Sequence, residues 1–69
     1  MTNDIEYDLE QIVDRVGLTE VLAILSEICS AKASHVEENW QDKVLAKRWE
    51  KAHKIVEQAG YKALATLSD

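Results

Sequence analysis

Residues 18–59 read LTEVLAILSEICSAKASHVEENWQDKVLAKRWEKAHKIVEQA, and this stretch decides the fold class. It holds neither Pro nor Gly, and apolar residues return in it every three or four positions, the period of a helix and not of a strand. The only Cys, both Trp and both His fall inside it. Thr19 is a good N-cap for its first half. On a helical wheel Leu18, Val21, Leu22, Leu25, Ile28, Cys29 and Val36 share one side, widened by Ile24, with Ser26, Glu27, Ser30 and Ser34 opposite. An apolar arc near half the circumference suits a helix packed against two neighbours.

A break is expected near Glu38–Asn39. The apolar stripe loses its phase there, because Asn39 and Lys43 would fall at its centre. Asn39 followed by Asp42 also resembles a capping pair at a new helix start. The second half then carries Leu45, Trp49, Ala52, Val56 and Ala59, a narrow stripe whose Ala residues permit close helix approach.

Working outward, Ile5, Leu9, Ile12, Val13 and Val16 predict a first helix that Gly17 terminates. On the other side, Gly60 is expected to end or kink the third helix. Ala63, Leu64 and Leu67 suffice for a short fourth helix, which would have to dock because it is marginal alone. The predicted architecture is all-α. It is a single domain over residues 1–69, a self-associating three-helix bundle with a short C-terminal fourth helix or tail, the helices spanning about 4–16, 19–37, 40–59 and 61–67.

Sixty-nine residues leave a thin stability margin, which small proteins widen with disulfides, a metal, regular helix packing or association. A single Cys, Cys29, excludes an intrachain disulfide and suits a reducing compartment. The start, Met1-Thr2-Asn3-Asp4, is unlike a signal peptide, and the longest apolar run, Val21 to Leu25, is far too short to span a bilayer. A cytoplasmic chain is expected. Net charge is −5, which argues against bulk attraction to nucleic acid or anionic membrane. The charge is uneven. Residues 1–15 carry Asp4, Glu6, Asp8, Glu10 and Asp14 against Arg15, a net of −4, while residues 42–54 carry Lys43, Lys47, Arg48, Lys51 and Lys54 against Asp42 and Glu50, a net of +3. An acidic first helix is expected near a basic third one, within a chain or across a dimer, with an external acidic partner as the alternative.

Several residues could carry chemistry. Lys32 falls within the apolar arc of the second helix, either as a partly buried cation that pairs with an acid or anion, or as a snorkelling side chain. His35 with Glu38, and Glu50 with His53, each stand three apart on helices that could run antiparallel. Di-iron carboxylate bundles use such Glu-x-x-His pairs, although the further inward carboxylates they need are not evident here. Cys29 sits on the core face with no His facing it, as a small core residue would. Trp40 and Trp49 among Lys43, Lys47, Arg48 and Lys51 resemble the aromatic and basic mixture of single-strand binders. Trp49, however, belongs to the core stripe, and Glu37, Glu38 and Asp42 would repel phosphate. Asn39, Trp40, Gln41 and Asp42 form a dense polar corner, either a contact surface or a capped helix start closed by Trp40. There is no phosphate loop, Cys-x-x-Cys, Ser-His-Asp spacing or calcium loop, so neither an enzyme nor a cofactor is expected.

Residues Ile28 to His35, followed by Asn39-Trp40-Gln41-Asp42 and Leu45-Ala46-Lys47, resemble small helical proteins of unknown function encoded in bacterial and phage genomes. The resemblance implies no activity. It adds that Lys32, His35 and the Asn39–Asp42 corner belong to a recurring pattern.

The sequence thus points to a small non-enzymatic interaction or regulatory module that binds itself or another protein through helix faces, with Lys32, His35, Asn39, Trp40, Asp42, Lys47 and Arg48 as candidate contacts. The alternatives are nucleic-acid association through the basic third helix, or a metal-binding bundle using His35, Glu38, Glu50 and His53.

Overall fold

The computed structural model describes residues 2–67, which form three helices and no strand: α1 Thr2–Val16, α2 Leu18–His35 and α3 Lys43–Leu67. A π-helical turn, Val36–Trp40, continues α2 without a break. The helix therefore stops later than Glu38–Asn39. Gln41 takes a left-handed conformation at φ 53°, and Asp42, not Asn39, caps α3 by accepting a hydrogen bond from the Leu45 amide at 2.9 Å. Asn39 instead lies inside the π turn, where its Nδ2 donates to the His35 carbonyl at 3.0 Å.

Gly60 does not end the helix, because α3 runs through it to Leu67 and leaves no separate fourth helix. Gly60 sits at the interface, where a Cβ would meet Leu22 Cβ at 3.6 Å, an ordinary van der Waals contact. Gly17 does end a helix as expected, but with φ 93° and ψ 149°, a backbone region that glycine alone occupies freely.

α2 and α3 form an antiparallel hairpin along a seam. Thr19, Leu22, Ser26, Cys29, Ala33 and Val36 face Ala46, Trp49, His53, Val56, Gly60 and Ala63, and all twelve are withdrawn from solvent. Both series step by three and four residues, the spacing of a coiled-coil seam. Small residues dominate it, with Ala33 and Ala46 nearly sealed at 4% and 2% exposure. The seam lies about 100° round α2 from the row Leu18, Leu25 and Lys32, so Ser26, expected on the outer side, is in fact interior.

The three-helix bundle expected from the sequence is not the observed arrangement. No Cα of α1 comes within 8 Å of a Cα of α3. From Asp4 to Val16 every side chain of α1 except Val13 is exposed. α1 stands as an arm beside the hairpin, and the molecule measures 41 × 32 × 15 Å. A helix with its side chains is about 10–12 Å across, so the protein is thin along its shortest axis, little more than one helix deep.

Candidate interaction face and interhelical clamp

The α2–α3 hairpin has two broad faces, and the seam register sorts the residues between them. On one face α2 presents Leu18, Val21, Leu25, Ile28 and Lys32, and α3 presents Leu45, Arg48, Ala52, Ile55, Ala59 and Lys62. Ile28 and Ile55 remain 46% and 61% exposed there. The opposite face carries Glu20, Ala23, Glu27 and Ser30 of α2 with Lys54, Glu57 and Tyr61 of α3. One face is therefore aliphatic with basic edges, and the other is mixed, its acidic side chains bordering Tyr61 and Leu64.

The mixed face holds a cleft of about 280 Å³ between the helices, lined by Thr19, Leu22, Ala23, Ser26, Glu27, His53, Glu57, Gly60, Tyr61 and Leu64. At its floor Ser26, 5% exposed, meets His53. His53 Nδ1 lies 2.8 Å from the Ser26 hydroxyl and 2.8 Å from the Ser26 carbonyl oxygen. A carbonyl only accepts, so Nδ1 must carry the hydrogen. The Ser26 hydroxyl in turn donates to the His53 carbonyl at 3.4 Å. Nδ1 cannot then take a proton from Ser26, so the pair is not a nucleophile with its base. It is a polar clamp that ties the middle of α2 to the middle of α3, and no buried side-chain nitrogen or oxygen among the described residues lacks a partner.

The other residues singled out in the sequence are dispersed. Lys32 is exposed at the edge of the apolar face beside Ile28, its stem along apolar surface in the manner of a snorkelling side chain. His35 is exposed, and its Nδ1 accepts a hydrogen bond from Asn39 Nδ2 at 3.0 Å, which places the hydrogen of the neutral ring on Nε2. Trp40 is 73% exposed at the hairpin tip and does not close the core. Asp42 is the helix cap, and Lys47 and Arg48 are exposed on α3 beside it. His53 is level with Ser26, nine residues before His35, which separates the two histidines by about 13 Å along the helix axis. The His35–Glu38 and Glu50–His53 pairs therefore do not converge, and no group of three or more metal-ligating side chains gathers among the described residues. Among those residues no helix is long and apolar enough to cross a membrane.

Sequence reasoning missed the Ser26–His53 clamp. The signal that could have found it is the paired three-four spacing of Thr19, Leu22, Ser26 and Cys29 with Trp49, His53, Val56 and Gly60, in which Ser26 and His53 stand level among Leu22, Trp49 and Val56. Set against protein-family models, curated proteins and solved structures, the chain matches none.

Proposed function

We propose that this protein is a self-associating, non-enzymatic interaction module that acts through its apolar helix face. The observation that carries the reading is the surface it leaves uncovered. A folded monomer of 7.8 kDa is expected to expose about 4,400 Å², whereas this chain exposes 5843 Å². Its radius of gyration, 14.2 Å, likewise exceeds the roughly 11 Å of a compact domain of its length. The surplus, about 1,400 Å² per chain, is the area each subunit of an obligate dimer buries. Domains are ordinarily built from two packed layers, and this chain supplies one.

Sedimentation equilibrium across a wide range of chain concentrations tests the reading. A mass of two or more chains at micromolar concentration is expected, and Ile28→Glu should lower it toward one chain. A single-chain mass throughout would reject the reading.

A further inference from the structure

Resting on that reading, we propose that the second layer is supplied by exchange of arms: α1 of one copy lies on the apolar face of α2 and α3 in a second copy, reciprocally.

The argument begins at Gly17. The hydrogen bonds Gly17 N–H to Val13 O at 2.7 Å and Val21 N–H to Gly17 O at 3.1 Å show both helices running up to this residue, so the connection is one residue long. One extended residue spans about 3.5 Å, whereas packed helices keep their axes about 8–10 Å apart and helical hairpins use connections of about two to five residues. α1 thus cannot fold back along its own α2, and its stripe Ile5, Leu9, Ile12 and Val16 stays exposed within the chain.

The arm fits the face in three respects. Its 15 residues measure about 22 Å, and the face from Leu18 to Lys32 runs about 21 Å. The antiparallel register set by Gly60 against Leu22 places Ala52 and Ala59 level with Ile28 and Val21, small residues on α3 opposite larger ones on α2, the kind of surface a helix stripe can enter. Charge completes the match. Glu6 and Asp8 flank the stripe of α1, while Lys32, Arg48 and Lys62 edge the face. Within one chain α1 and α3 share no Cα pair within 8 Å, which leaves the acids of α1 apart from Arg48 and Lys62. Between two copies they meet around a shared apolar strip.

The test uses single-cysteine chains of full length in a Cys29→Ser background. One carries Leu9→Cys or Ile12→Cys on the arm. The other carries Leu25→Cys or Ala52→Cys on the face and a tag that changes its size. The two are refolded together and treated with a short thiol-to-thiol cross-linker, the helix content having been checked by circular dichroism. Arm exchange predicts that arm-to-face products clearly outnumber arm-to-arm and face-to-face products, beyond the one half that random pairing gives. Predominant face-to-face products from a chain that still sediments as a dimer would overturn arm exchange and leave self-association standing. A single-chain mass would overturn both.

Discussion

The two glycines stand at opposite extremes of what a methyl group can do, and their alanine variants should move stability in opposite directions. At Gly60 the backbone is helical and a new Cβ would meet Leu22 Cβ at 3.6 Å, ordinary van der Waals contact. Replacing Gly by Ala inside a helix gains about 0.8–1.0 kcal/mol from backbone propensity, and the contact adds a few tenths more. Gly60→Ala should therefore stabilise by about 1 kcal/mol, and in a chain of this size that raises the Tm by about 4–8 °C. At Gly17 there is nothing within 4 Å of a new Cβ, so no clash opposes the substitution. The backbone itself does, because φ 93° with ψ 149° costs an L-residue about 1–3 kcal/mol. Gly17→Ala should lower the Tm by a comparable or larger interval. Both are read by thermal unfolding under far-UV circular dichroism at one fixed chain concentration, since association would otherwise shift the midpoint. A destabilised Gly60→Ala would mean that the glycine ends the helix in a left-handed turn. That result would restore the separate fourth helix and refute the continuous α3.

Four further perturbations separate the remaining claims. Asp42→Ala removes the acceptor of the Leu45 amide and should cost about 1 kcal/mol, read by urea unfolding, with no comparable loss for Asn39→Ala in the exposed turn. Ser26→Ala deletes one side of the clamp but leaves the His53 Nδ1 bond to the Ser26 carbonyl, so a loss of about 0.5–1.5 kcal/mol is expected and a larger one would show that the hydroxyl does more. An oligonucleotide titration at moderate salt should show no retention by the wild-type chain. Binding that disappears in the Lys47→Glu, Arg48→Glu double variant would move the function to α3. Dialysis of untagged protein against a chelator should leave the Tm unchanged, and a fall would indicate a bound metal that the spacing of His35 and His53 does not suggest.

The helical class and the junction of α1 and α2 at Gly17 could be read directly, because the three-four return of Ile5, Leu9, Ile12 and Val16 has no competing period and Gly17 marks a helix end on its own chemistry. Which face of α2 meets α3 could not. Its apolar arc is wide enough to serve two seams, and large residues such as Leu25 and Ile28 draw the reading toward the face that the single chain leaves open. The seam in use runs through Ser26, Cys29 and Ala33, which carry little hydropathy and reveal themselves only through spacing matched on both helices. Gly60 misled for a related reason. Glycine favours helix ends, but here it lies within a continuous helix against Leu22, a neighbour 38 positions away in sequence. The position of α1 was illegible because its apolar stripe says that the helix buries a face without saying against which chain.

The division of labour between the two faces of α2 bears on how such a small protein can be specific. A two-helix seam in which Thr, Ser, Cys, Ala and Gly alternate with Leu22, Val36, Trp49 and Val56 buries limited apolar area, and a hairpin of this kind has little stability of its own. What the seam does supply is register. The Ser26–His53 clamp is satisfied at only one alignment of α2 against α3, much as a single polar residue in a coiled-coil seam fixes its alignment at some cost in stability. The large aliphatic residues, which would tolerate several alignments, are held on the open face where burial can come only from another molecule. Alignment and stability are thus assigned to different sides of one helix. A hairpin so aligned presents a defined apolar surface, and under the proposed self-association covering that surface would supply the stability that the hairpin lacks. Folding and association would then be parts of one event, a route by which 69 residues could form a specific interface without a disulfide or a large core.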